Sequence, residues 1–260
     1  DFVDVNISTD TLLFIDPYQL SKFSSPFAIE ATKKINNFFN YLIELLIAKN
    51  YTKADEVFSN VGEVNETCLG MSKGKPLGRG IGPKNTQAIF NELIKSDIVK
   101  LKQLNRLEDL RIFVKGVDKD KISDMVSNII RDLLIEYTQQ QCNLHDIPLT
   151  PNTPSGFYWD HKTRSWQSCL TDMLVINDKK YLLVPKLAVS YSNRYTPSVL
   201  YNQFALTFLQ EENIRNKTSL VQYRKEKNGY RKPFVTKASI KEIHKKEINQ
   251  NEFKDWLSNF

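Results

Sequence analysis

A chain of 260 residues that is 41% hydrophobic and 11% aromatic can bury a full core, so disorder throughout is excluded; length alone allows one large domain or two small ones. Its longest apolar run, around Phe38 to Ala48, is broken by Asn40 and Glu44, so no span of a bilayer is expected and the protein reads as soluble, without a membrane partner. Net charge is +6, and ten basic residues against two acids between Lys217 and Lys246 give +8 there and −2 elsewhere, an asymmetry that points to a polyanionic partner.

In chain order, Thr11 to Ile15 reads as a buried strand running into an Asp16-Pro17 turn. From Pro26 to Lys49, Ile29, Ile35, Phe38, Phe39, Leu42, Leu45 and Leu46 recur at helical spacing and predict a long core helix. Glu63 and Glu66 then precede a basic stretch, and six of the nine glycines fall between Gly62 and Gly82. Glycine lets the backbone approach another molecule closely, while Lys73, Lys75, Arg79 and Lys84 add positive charge, so this stretch is built like a phosphate site. A helix from Pro83 to Lys95 follows it.

The periodicity next predicts one helix from about Asp120 to Gln141, opened by Asp118, Asp120 and Asp124. Asp118 or Asp120 suits capping of that helix, or else these acids with Glu63 and Glu66 hold a cation beside a phosphate. The prolines from Asn143 to Ser155 mark a connection between two halves, 1–142 and 156–260. Trp159 and Trp166 flank a turn and are expected to pack against a sheet. Met173–Ile176 and Tyr181–Val184, separated by Asn177-Asp178-Lys179-Lys180, read as a β-hairpin. Pro197 to Gln210 reads as helix, as does Lys237 to Phe260, which gathers Phe253, Trp256, Leu257 and Phe260 on one face. The expected class is α+β, helix-rich, with a small mixed sheet containing the hairpin near 172–186.

Chemistry by familiar motifs is narrowly bounded. Cys68, Cys142 and Cys169 fit neither a disulfide framework nor a paired-cysteine zinc site, which suits a reducing, cytoplasmic setting. No secretory signal opens the sequence, and its start at Asp1 suggests a piece of something larger. His145, His161 and His244 lie in separate segments, without metal-ligand spacing. Neither a Walker A sequence, a dinucleotide fingerprint nor a Gly-x-Ser-x-Gly elbow is present.

Two local resemblances remain. Gly80-Ile81-Gly82-Pro83-Lys84 followed by Ile89 resembles the hairpin of helix-hairpin-helix DNA-binding modules, with Thr86 where that family favours alanine; the likeness implies backbone amides on a phosphate. Asp172-Met-Leu-Val-Ile, a turn, and Tyr181-Leu-Leu-Val-Pro-Lys186 resembles the core of PD-(D/E)xK nucleases. That likeness implies a Mg²⁺ or Mn²⁺ ion at Asp172 and a water positioned by Lys186. Val184 stands where the family has its second acid, so Glu136 or Asp160 would supply the missing ligand. A three-residue turn is required, since a two-residue turn sends Lys186 to the other face.

The expected function is therefore a metal-dependent nuclease, with prokaryotic defence against foreign DNA as one setting. Nucleic acid would be held by Lys73, Lys75, Arg79, Gly80, Gly82, Lys84, Arg224, Lys225, Arg231 and Lys232, with Tyr223, Tyr230 and Phe234 available for stacking. The alternatives are a non-catalytic nucleic-acid or nucleotide-binding module, and a scaffold whose basic region meets an acidic partner protein while its terminal aromatic face packs on a missing domain.

Overall fold

The computed structural model describes residues 1–70, 83–95, 106–114, 117–191, 201, 205–226 and 229–247. The chain divides into two compact units, Asp1–Lys95 with Asn105–Ser192, and Ser96–Leu104 with Asn193–Phe260. In chain order the first unit holds β1 (Phe14–Ile15), α1 (Pro17–Leu20), α2 (Pro26–Ile47), α3 (Tyr51–Phe58), α4 (Pro83–Lys95), α5 (Leu110–Phe113), α6 (Lys119–Ile129), α7 (Arg131–Leu144), β2 (Thr150–Pro154), β3 (Tyr158–Asp160), β4 (Ser165–Gln167), β5 (Leu170–Ile176), β6 (Lys179–Tyr181) and β7 (Val189–Ser190). The second holds α8 (Leu206–Arg215), β8 (Gln222–Lys225), β9 (Arg231–Phe234) and α9 (Lys237–Glu247). The fold class is α+β. The named strands all pair antiparallel, in the orders β1-β7, β2-β5-β6, β3-β4 and β8-β9. Where a mixed sheet was expected, parallel pairing among the described residues is the isolated bridge Thr11↔Leu69.

The core of the first unit forms around α2. Ser25 caps this helix through the Ala28 amide, Pro26 opens it, and Ala28, Ala31, Ile35, Phe38, Phe39 and Leu42 line its buried side at three- and four-residue spacing. The β3–β4 hairpin lies against it. Trp159 and Trp166 pair across that hairpin, their rings 5.1 and 5.6 Å from Phe38. Each indole N–H is satisfied, Trp159 donating to Asn37 and Trp166 to the Val57 carbonyl, which makes both tryptophans part of the packed core. Lys34 is buried on the same helix and is paired with Asp132 and the Trp159 carbonyl.

The structure corrects two expectations drawn from the sequence. The predicted helix over 120–141 is two helices: at Ile130 the backbone leaves helical geometry (φ −102°, ψ 18°), and α7 starts afresh at Arg131. The break lets Arg131 turn inward, where it donates to Glu66 at 2.9 Å and to Asn128 at 3.3 Å. Gly156, at φ +75°, leaves space for it, since an added Cβ would lie 3.1 Å from the Arg131 guanidinium. Second, the proline-rich stretch at 143–155 is not a boundary. Thr150–Pro154 forms β2 on the edge of the β5 sheet, a place where proline costs no ladder bond, and the units part at Ser192/Asn193 instead.

In the second unit Tyr201, Leu206, Val235 and Ile240 are buried. Thr236 caps α9 through the Ser239 amide, and the Gln210 side chain of α8 ties down the Val235 carbonyl at the root of the β8–β9 ribbon. The helix expected over 197–210 is described from Leu206 and runs on to Arg215. Phe253, Trp256, Leu257 and Phe260 lie outside the described residues. No helix among the described residues is long and apolar enough to cross a membrane.

Candidate functional site

The hairpin assigned to catalysis folds with a two-residue turn. Asn177 and Asp178 both take left-handed geometry (φ +52° and +61°), and Leu174↔Tyr181, Val175↔Lys180 and Ile176↔Lys179 pair directly above them. β6 stops at Tyr181, and the chain beyond it is recruited elsewhere: Leu182 donates to the Glu66 carbonyl and Leu183 to the Thr138 hydroxyl. Val184 is core, and Lys186 opens a 3₁₀ turn with its ammonium 2.7 Å from the Asp1 carboxylate.

Asp172 is exposed on β5 and Glu136 is exposed on α7. The Glu136 carboxylate accepts from Gln140 one turn along its own helix, and the Asp172 backbone carbonyl accepts from Gln139. Asp172, Glu136 and Lys186, read from the sequence as catalytic and metal-binding, thus lie on three different elements, and no hydrogen bond or ion pair among the described residues joins them. The two-residue closure is the one that sends Lys186 away from the face of Asp172. Asp160, the other proposed ligand, accepts from the Lys162 amide and the Thr163 hydroxyl and shapes the β3–β4 turn.

A different set of acids converges at the start of α6. The Thr11 amide donates to the Cys68 carbonyl and the Gly70 amide to the Thr11 carbonyl, which draws Asp10 alongside Gly70. Gly70 has φ +148°, and a Cβ placed on it would lie 3.3 Å from Asp10 Oδ2 and 3.3 Å from Asp120 Oδ1. Two carboxylates thus face each other across a residue that only glycine suits. One turn further along α6, Asp124 is 8% exposed and takes a hydrogen bond from the Val64 backbone. Asn128 fastens the same helix to the Gly62 carbonyl.

The electrostatics reflect this crowding. Burial, reinforced by Asp120, Glu63 and Asp118, pushes the Asp124 carboxyl up to about 8. Burial, with Asp118, Asp10 and Glu63 adding to it, pushes Asp120 up to about 6. Asp118 itself caps α6 through the Lys121 amide. Capping therefore accounts for Asp118 and leaves Asp120 and Asp124 without that role. Beside Asp118 lies Arg111 of α5, whose Nε is buried with no hydrogen-bond partner. Among the described residues no group of three or more His, Cys, Asp or Glu side chains stands ready to hold a metal ion unaided.

Neighbouring carboxylates belong to the framework. Burial works against ionised Glu66, but the charge and hydrogen bond of Arg131 outweigh it and hold its pKa below the ordinary carboxylate value. Asp16 caps α1 through the Tyr18 and Gln19 amides and accepts from Ser190 at 2.7 Å.

Of the phosphate-binding residues read from the sequence, Lys73, Lys75, Arg79, Gly80 and Gly82 lie outside the described residues. Lys84 falls in the first turn of α4, and its side chain is likewise outside them. Arg224, Lys225, Arg231 and Lys232 are exposed on the β8–β9 ribbon. Sequence reasoning had singled out Glu63, Asp120 and Asp124 but missed Asp10, which is brought in by the bridge at Thr11 and carries no signal in its own spacing.

Residues 1–196 match the model of a family described as a domain of unknown function (DUF8370), and the remainder, including the β8–β9 ribbon, lies beyond the match. No curated protein and no solved structure matches the chain.

Proposed function

The chain belongs to the DUF8370 family, and from the geometry of its acidic cluster we propose that it is a divalent-cation-dependent phosphodiesterase acting on nucleic acid, its reacting centre in the first unit. The observation that carries this reading is the pair Asp10 and Asp120, each 3.3 Å from the Cβ position of Gly70. It falls where the glycine-rich basic stretch begins. Mg²⁺ and Mn²⁺ favour oxygen donors, and Mg²⁺ is usually held by one or two carboxylates completed by water and substrate phosphate. A pair of facing carboxylates next to a phosphate-holding segment meets that need without a closed protein cage.

Asp10 and Asp120 are the ligands in this reading, and Glu63 deepens the negative field that draws the cation. Arg111 sits among Asp16, Asp118 and Glu108, and its buried, unpartnered Nε is the group this reading assigns to phosphate. When bound, the ion offsets charge on the phosphoryl oxygens and lowers the pKa of a water. In the hydrolysis itself a water oxygen would bond to phosphorus as the ester P–O bond breaks, and the proton given up by the water would end on the departing oxygen.

The test is incubation of the full chain with plasmid, single-stranded DNA and RNA, with Mg²⁺ or Mn²⁺ and with chelator. Cleavage that requires the metal, falls about 10²-fold or more in Asp120→Asn and is unchanged in Lys186→Ala is the expected result. Cleavage of none of the polymers, or an undiminished rate in Asp120→Asn, overturns the reading. Salt-dependent binding without cleavage would leave a non-catalytic nucleic-acid-binding module.

A further inference from the structure

The β8–β9 ribbon carries charges that strand pairing by itself disfavours. In its antiparallel register Arg224 stands opposite Lys232, and Lys225 opposite Arg231. Like charges directly opposed destabilise a sheet. Because neighbouring residues point to opposite faces, one such pair lies on each side of the ribbon. All four cations are exposed, and the ion pairs among the described residues include none of them. Tyr223, 60% exposed, shares a face with Lys225 and Arg231.

The ribbon is fixed at one end and open at the other. Its root is tied to α8 by Gln210, with Val235 buried beneath. At its tip Glu226 donates to the Tyr230 carbonyl and Gly229 to the Glu226 carbonyl, with Gly229 at φ +81° and no atom within 4 Å of where its Cβ would be. The described residues of both faces, Arg224 with Lys232 and Lys225 with Arg231, are exposed to a partner at once.

Given the nucleic-acid reading, on which this rests, we infer that the β8–β9 ribbon seats in the major groove of double-stranded DNA, its two faces meeting the two phosphate rows that wall the groove. A flat anionic surface, or a single strand with one row of phosphates, engages only one face of such a ribbon and leaves the opposed pair on the other unrelieved. The major groove of B-form DNA, about 12 Å wide, admits a two-stranded ribbon. The deep, narrow major groove of duplex RNA does not. The substrate is thereby narrowed to duplex DNA, and the opposed cations become a cost the free protein carries until a partner neutralises them.

The experiment is fluorescence anisotropy of the full chain with a short labelled DNA duplex, the matching single strand and the matching RNA duplex, all in EDTA so that metal-dependent cleavage is silent. The DNA duplex is expected to bind tightest. Lys232→Glu gives Arg224 an opposite-charge partner, so its melting temperature should rise while duplex affinity falls roughly tenfold or more at low salt, and the salt slope of binding drops by about one to two. Gain of stability with loss of binding separates a functional charge from a failure to fold. Equal affinity for RNA or single strand, or unchanged duplex affinity in Lys232→Glu, overturns the inference. Duplex binding in EDTA with no cleavage in Mg²⁺ sustains it and removes the phosphodiesterase reading; cleavage with an indifferent ribbon does the reverse.

Discussion

The two units crowd like charges in opposite ways. Residues 1–192 hold 23 Lys and Arg against 23 Asp and Glu, while residues 193–260 hold 13 against 7, so the whole excess of +6 belongs to the later stretch. Yet the neutral stretch draws acids together, at Asp10, Glu63, Asp120 and Asp124, where burial lifts two pKa values. The basic unit instead displays its cations outward, on both faces of a ribbon. Inward crowding is felt as a cost of ionisation in low dielectric, and it suits a small cation. Outward crowding is felt as salt-screened repulsion, and it suits a polymer. Net charge alone would have pointed to the ribbon and hidden the acids.

The largest expected effect tests the acidic gap directly. Gly70→Val forces a branched side chain into a backbone of positive φ and against Asp10 and Asp120, and should destabilise the first unit by roughly 2–4 kcal/mol, read by chemical denaturation. A variant as stable as the parent would mean that the two carboxylates move apart freely.

Next in size is the pH dependence of Asp124. Its folded pKa, about 8, is raised above the ordinary aspartate value of 3.8, so the associated stability is fully present below that ordinary value and is lost as pH rises through about 8. Asp124→Asn should accordingly stabilise on the order of 2 kcal/mol at alkaline pH and almost nothing near pH 4, measured by thermal melts across pH. An equal gain at both ends would place the cause in packing, not charge.

The smallest effect separates the two kinds of crowding. Raising salt should increase amide protection in the ribbon by a few tenths of a kcal/mol, read by hydrogen exchange, while leaving the buried acids little changed. Equal responses would remove the distinction between inward and outward.

Legibility followed the range of the interactions. Helix α2 and the existence of the hairpin rest on local periodicity or on neighbours a few residues apart, and the sequence displays these openly; the tryptophans, expected to pack against a sheet, instead pair across a hairpin of their own and pack on Phe38 of α2. The length of the hairpin turn did not show, because Asn177-Asp178-Lys179-Lys180 allows both two- and three-residue closures and distant partners at Glu66 and Thr138 decide between them. The break at Ile130 was equally hidden. No proline or glycine marks it, and the demand comes from the buried Arg131 side chain reaching Glu66, 65 positions away. At the acidic centre three of the four converging carboxylates were noted, although capping was the simpler account of Asp120. Asp10 required a backbone bridge that no spacing announces.

The interruption at Ile130 also resets rotational phase. In a continuous helix each residue advances by about 100°, so the acid-bearing side of α6 would dictate which side of α7 meets the sheet. With one non-helical residue between them, α6 presents Asp124 and Asn128 to residues 62–64 while α7 independently presents Thr138 and Gln139 to the β5–β6 region. The two segments are thereby decoupled: substitutions that retune the acids need not disturb the sheet, whereas deleting the joint residue would swing every downstream contact by a quarter turn or more.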